Sequence, residues 1–191
     1  SKTYRLHLIN SLSGFKSANL IGTKDKLDQE NLCIVSSTVH VGSNPPALGV
    51  IFRPHSVPRH SLENILNTSY YTINHVSNQF IKQAHQTSAK YPKDISEFEA
   101  TGLTPYYDDR FFAPFVKEAE VKIGLKFVEK CDISFNPTHF IIGEVIFISI
   151  DDRYIEPSGK LNFSELNTVC LSGLDRYYDT QFIEEHPQAA V

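Results

Sequence analysis

Apolar and polar positions alternate along much of this chain, and the alternation predicts strands. Tyr4, Leu6, Leu8 and Leu12, with Arg5 and His7 between them, predict a short strand arm that Gly14 breaks. Residues 15–23, FKSANLIGT, predict a strand, and the charged segment 24–30 predicts a hairpin turn into Asn31. Two denser apolar runs follow, Leu32–Val35 and Ala47–Phe52, with Pro45-Pro46 holding the chain between them extended. Ser61 suits a helix N-cap, because Leu62, Ile65 and Leu66 follow it at helical spacing. YYTINHV, residues 70–76, is β-branched and aromatic and predicts a strand.

The second half continues in the same way. Residues 77–100 read as helical or irregular with a break at Pro92, and Asp94-x-x-Glu97 has the form of a capping box. Capping and solvation account for the acids Asp94, Glu97 and Glu99 better than acid–base chemistry does. The aromatic stretch 104–115 predicts a loop or short helix that packs either on the core or at an interface. Val121, Ile123, Leu125 and Phe127 share one face of a long strand, with Lys122, Lys126 and Lys130 on the other. Residues 140–150 predict a dense strand, 153–155 a short one, 161–168 a helix, and 169–179 the end of the ordered chain. The polar tail 184–191 is expected to fray. Strands joined by short polar turns, with few helices, predict a mainly β, antiparallel barrel with short helical insertions.

Composition narrows this picture. A length of 191 residues with 41% apolar content fits one domain, 1–191, with a sizeable core. The net charge of −4 predicts neither a nucleic-acid nor an anionic-membrane partner, so any phosphate binding must come from a local cluster. Cys33, Cys131 and Cys170 are too far apart in sequence for a disulfide framework or a cysteine zinc site, which fits a reducing compartment. No apolar leader opens the sequence, and Phe140–Ile150 is too short to span a bilayer. A cytoplasmic location is therefore expected.

The candidate chemistry collects between Asn31 and Asn64. Hydroxyls at Ser36, Ser37, Thr38 and Ser43 stand near strand ends, Arg53 follows the second apolar run, and Arg59-His60-Ser61 opens the helix. Hydroxyls and amides donate, arginine offers a charged fork, and a helix N-terminus favours an anion, so this set suits a phosphate. The same residues also suit an ordinary polar strand end with solvated arginines. Neither G-x-G-x-x-G nor G-x-x-x-x-G-K-[ST] occurs, nor G-x-S-x-G or H-E-x-x-H. The eight histidines are scattered, and no metal site is expected.

An ordered set of segments adds to these readings: Asn31–Ser37, Gly42–Pro46, Phe52-Arg53-Pro54, Arg59–Ile65, Tyr71–Asn74, His85–Tyr91, Ser96–Glu99 and Gly143-Glu144-Val145. The set resembles the flavin reductase-like family of FMN-binding split-barrel flavoproteins, over most of the chain and in the same order. The resemblance implies a Greek-key-like split β-barrel and an NAD(P)H-dependent transfer of hydride to flavin. It implies FMN as cofactor, with FAD less favoured, and a homodimer with flavin near the subunit interface. For such a flavin, Ser37, Thr38, Arg59, His60 and Ser61 are the candidates for phosphate and ribityl contacts, with Ser43 a further one and Arg53 either facing the phosphate or supporting its strand end. The backbone of Cys33 to Ser36, Val35 included, takes the ring edge, and Lys16, Ser17 and Asn19 rank second. His85 and Tyr177 fall on the nicotinamide or substrate side. Cys33 reads as a small strand residue and not a nucleophile, since nothing near it in sequence lowers its pKa. A flavin-storage module and a flavoprotein oxygenase or electron carrier with another donor are the alternatives. Many relatives carry Lys-Asp-Thr-like residues where Arg59-His60-Ser61 stands, which leaves FMN against FAD open.

Overall fold

The computed structural model describes residues 1–55 and 57–189. Seven strands form one antiparallel sheet: β2 (Asn19–Lys24), β3 (Glu30–Val35), β4 (Thr38–Ser43), β5 (Pro46–Phe52), β6 (Tyr70–His75), β9 (Lys122–Ile133) and β10 (Thr138–Ser149). Their order across the sheet is β3-β2-β6-β9-β10-β5-β4. The two edge strands are thus consecutive in the chain, joined only by Ser36 and Ser37. Three Cα steps reach about 11 Å at most, so the two edges must meet at that end. The sheet therefore curls into a barrel that is split between β3 and β4. The expected mainly β split barrel is what the chain forms.

Core packing follows from this closure. Inside the barrel lie Ile21, Val50, Tyr71, Ile73, Leu125 and Ile141, and helix α2 (His60–Thr68) plugs one end with Leu62 and Ile65. The predicted inward face of the long strand is partly kept: Leu125 is fully buried, while Ile123 and Phe127 are half-buried against the same cluster. A second core covers the outer face of β2 and β3, where Leu20 and Leu32 meet Phe80, Ala84, Phe98 and Leu171. Those residues come from the approach to α3 (Ile81–Gln86), from α3 itself, from α4 (Glu97–Thr101) and from β11 (Val169–Ser172). β11 pairs with β1 (Lys16–Ser17) and β12 (Arg176–Asp179) in a small separate sheet. The aromatic stretch 104–115 takes the core reading: it forms a loop with a two-residue ladder, β7 (Pro105–Tyr106) on β8 (Phe115–Val116), and buries Phe111 and Phe115 against Phe147.

Several local expectations are corrected. Residues 2–12 form helix α1 (Lys2–Leu12), not a strand arm; the Ser1 side chain caps it, and it lies beside the turn between β11 and β12 without pairing to a strand. Residues 38–43 form β4, which hairpins directly onto β5, so the polar Ser-Ser-Thr run belongs to a strand as well as a link. Residues 152–154 make a 3-10 turn capped by Asp151, where a short strand was expected. The short helix α4 starts after Ser96, not at Asp94, and Glu97 is buried. The helix predicted over 161–168 shrinks to α5 (Phe163–Leu166). From residue 184 to residue 189 the tail is exposed and forms no element, and its last two residues lie outside the described ones.

Candidate functional site

A cleft of about 1230 Å³ opens along the split. Its floor is the free edge of β3. Leu32 donates its amide away from β2, to Glu97, at 2.9 Å. In an antiparallel ladder N–H and C=O of one residue point the same way and alternate residues agree. Ile34 therefore turns its amide and carbonyl to the same free edge, while Cys33 and Val35 spend theirs on β2. Of the backbone assigned to a ring edge, Ile34 and the following Ser36 are the groups on offer. The Cys33 and Val35 side chains border the cleft and pack against the barrel core.

The helix that opens the anion seat is fastened at two points. Asn64 donates to Thr23 Oγ1 at 3.1 Å, and the Ser61 hydroxyl donates to Asn31 Oδ1 at 2.5 Å. Thr23 and Asn31 oppose each other across the β2–β3 hairpin, and Ser61 and Asn64 share one helix face. This corrects the expected cap: Arg59 occupies the N-cap position, and Ser61 is buried one residue inside the helix. Glu63 reaches back to the Arg59 amide at 3.3 Å and to His55 at 2.8 Å. Burial pulls its carboxyl up, but the bonds from His55 and the Arg59 amide outweigh that and hold it below its ordinary value.

The remaining predicted residues divide. Ser36, Ser37, Thr38, Arg53, Arg59 and His60 border the cleft together. Among the described residues neither Arg53 nor Arg59 pairs with a carboxylate. The Ser37 hydroxyl is committed to β5, donating to Ile51 O at 2.8 Å. Ser43 is not brought in: it ends β4 at the exposed hairpin tip, beside His40 at 3.2 Å. Lys16 and Ser17 line the far end, with the Lys16 ammonium on the carbonyls of Asn10 (3.1 Å) and Gly173 (3.4 Å). Asn19 is buried and supports Ser17 at 2.9 Å.

His85 and Tyr177, far apart in sequence, meet on the same wall: His85 Nδ1 lies 2.9 Å from the Tyr177 hydroxyl, rings edge-on. Burial, aided by Asp175, pushes that phenol up to about 12, so it keeps its proton. Cys33 is likewise held as a thiol, pushed up to about 11 by burial, with the Glu97 charge adding and the Ser61 contact and Arg59 opposing.

Sequence reading gave Asn31 no role in the site and took Glu97 for a capping or solvated acid. Glu97 Oε2 accepts from Leu32 N–H and from Asn31 Nδ2, the latter at 2.7 Å. Burial raises its carboxyl, and those bonds work against the rise. The available signal was an acid immediately before Phe98, a residue bound for the core. Lys90 and Lys93 were also passed over; with Lys16, Arg53 and Arg59 they outweigh Glu97 and Asp175 along the cleft. Local charge there is positive although the whole chain is negative. Among the described residues no group of three or more metal-ligating side chains exists.

Comparison with known proteins agrees with this architecture. A family model described as "Flavin reductase like domain" matches residues 12–165. A crystal structure of a split-barrel protein of Shewanella frigidimarina, described as a candidate flavin reductase, is 51% identical, with a TM-score of 0.95 over 99% of this chain and 94% of that one. Nitrilotriacetate monooxygenase component B of Bacillus cereus superposes with a TM-score of 0.87 at 18% identity, covering 97% of this chain and 94% of that one. Flavoredoxin of Desulfovibrio vulgaris gives 0.80 at 21%, covering 93% of each chain. The last two bear on the fold alone.

Proposed function

The chain belongs to the flavin reductase-like domain family, and on that footing we propose that it is an FMN-binding oxidoreductase that passes hydride from NAD(P)H to flavin. Family membership supports flavin-related oxidoreductase chemistry in general; FMN and the nicotinamide donor are the finer reading. One observation carries it: a cationic cleft joins two arginines that have no carboxylate partner among the described residues to a free strand edge and then to the His85–Tyr177 pair.

The residues present fit a flavin mononucleotide. Arg53 and Arg59 bind the phosphate, helped by the first amides of α2, which have no intrahelical acceptor. Ser36 and the outward-facing backbone of Ile34 orient the ring edge. Bound flavin supplies the hydride-accepting chemistry, so the protein contributes position and access and requires no obligatory general base. His85 and Tyr177 line the donor side; with His85 donating from Nδ1 to the phenol oxygen, the phenol's own proton is left for a polar group of the incoming nucleotide. An FMN titration followed by flavin fluorescence tests this: saturable quenching supports it, and no uptake of FMN or FAD contradicts it.

We also propose a homodimer. Helix α1 buries none of its residues within its own chain and exposes Tyr4, Leu6, Leu8, Ile9 and Leu12. A solitary helix of 11 residues is marginal in water, so a second copy is the natural cover. Sedimentation equilibrium at twice the chain mass supports this; a monomer at micromolar concentration contradicts it. Among the described residues no helix is long and apolar enough to cross a membrane.

A further inference from the structure

We propose that Glu97 is a positioning residue for the anion seat: its carboxylate fixes Asn31, Asn31 fixes Ser61, and the first turn of α2 is thereby set by a side chain on a different helix. Each link is on display. Glu97 Oε2 accepts from Asn31 Nδ2 at 2.7 Å and from the Leu32 amide at 2.9 Å. Asn31 Oδ1 accepts from Ser61 at 2.5 Å, and the Ser61 oxygen lies 3.1 Å from Cys33 Sγ. All three of Glu97, Asn31 and Ser61 are buried.

The geometry explains why an acceptor oxygen at this reach is used. The amide of Asn31 is bifunctional: its NH₂ needs an acceptor and its oxygen a donor. Glu97 takes the NH₂, which leaves the oxygen aimed at Ser61 and settles which way the amide is turned. Without that acceptor the Asn31 amide can invert, presenting NH₂ to a hydroxyl that was donating. Glu97 has little freedom of its own, because its neighbour Phe98 is buried against Leu32 and Ala84 in the outer core. The Thr101 hydroxyl closes the same turn on the Glu97 carbonyl at 2.7 Å. Arg59 and His60, which border the cleft, sit on the turn that this chain of bonds holds.

The test combines two readouts on Glu97→Asp and Glu97→Gln. Asp keeps the charge but is one methylene short of Asn31; Gln keeps the length and an acceptor oxygen. In ligand-free protein, hydrogen exchange of amides 59–63 is expected to rise about tenfold in Glu97→Asp while amides 71–74 in β6 stay protected, and to change less than roughly twofold in Glu97→Gln. FMN dissociation constants should follow, rising about tenfold for Asp and less than roughly threefold for Gln. Folded Glu97→Asp with wild-type exchange and affinity overturns the proposal, as does folded Glu97→Gln that exchanges as fast as the Asp variant. If Glu97→Asp does not fold, Glu97→Gln is judged against wild type: exchange of amides 59–63 within roughly twofold supports the proposal, and a rise of about tenfold overturns it. The exchange readout needs no ligand, whereas the affinity readout rests on the flavin reading. Wild-type protein that takes up no FMN therefore sinks the function and leaves the exchange result to judge this coupling.

Discussion

The Ser61 hydroxyl rests 2.5 Å from the Asn31 side-chain oxygen, and this one bond joins the helix that opens the anion seat to the strand that floors the cleft. Both residues are buried, so the bond is not exchanged for water. Ser61→Ala leaves the Asn31 oxygen without its donor, a loss of about 1–3 kcal/mol for a buried polar group. Urea unfolding should show the midpoint falling with the slope unchanged. An unchanged midpoint would mean that Asn31 finds another donor.

Arg59 carries charge where Ser61 carries position. Arg59→Ala should weaken FMN binding by about ten- to a hundredfold, the range for a charge-assisted hydrogen bond of roughly 1.5–3 kcal/mol. Wild-type affinity should fall with added salt, and the variant's should fall less. Titrations at low and high ionic strength check both points.

The His85–Tyr177 contact predicts a different signature. Tyr177→Phe and His85→Ala should each lower kcat/KM for the nicotinamide donor by about tenfold while changing FMN affinity little. Because the two side chains bond each other at 2.9 Å, the double variant should lose less than the sum of the singles. Steady-state kinetics of the four proteins tests the coupling.

Gly143 and Tyr71 form a stability test away from the cleft. A Cβ on Gly143 would stand 2.3 Å from the Tyr71 hydroxyl, which is buried and has no partner among the described residues. Gly143→Ala should therefore cost about 1–3 kcal/mol through overpacking. Tyr71→Phe removes the nearest atom and an unsatisfied hydroxyl but leaves ring carbons 2.9 and 3.0 Å from that Cβ, so it should be neutral or stabilising alone and should rescue Gly143→Ala in part. Thermal melts of the singles and the double decide this.

His75 gives the pH dependence. Burial lowers its pKa from 6.5 to about 4, and its ring stacks on Phe163. The unfolded chain then binds more protons than the folded one between those values, so stability falls as pH drops from 6.5 towards 4. His75→Phe should flatten the melting temperature across that window. An equally steep decline in the variant would place the titrating group elsewhere.

The barrel was legible because its signals are local. Alternation in 119–133 and dense apolar runs at 32–35 and 47–52 mark strands, and the turn residues between them mark antiparallel connections. The cluster at Ser36–Thr38, Arg53 and Arg59-His60-Ser61 was legible because three chemistries that favour phosphate crowd into one stretch. Other features depended on distant partners. Asp94-x-x-Glu97 has a local explanation as a cap, and only the fold brings Glu97 to the side chain of Asn31 and the amide of Leu32. Tyr4, Leu6 and Leu8 alternate as a strand does, but alternation builds a strand only where a sheet edge accepts it. Ser61 lies two residues deeper than a cap because Arg59 takes that position and Asn31 draws the hydroxyl inward. β4 was missed although Val39 and Val41 alternate in it, because it follows the polar Ser-Ser-Thr run, and as an edge strand it leaves both valines exposed.

The most direct test is an anaerobic absorption spectrum of the protein loaded with FMN, taken before and after NADH or NADPH is added. A two-banded flavin spectrum that bleaches on addition of the nicotinamide is expected. A protein that takes up FMN but stays oxidised with either donor would contradict the hydride transfer from NAD(P)H, and one that takes up neither FMN nor FAD would contradict the flavin site itself.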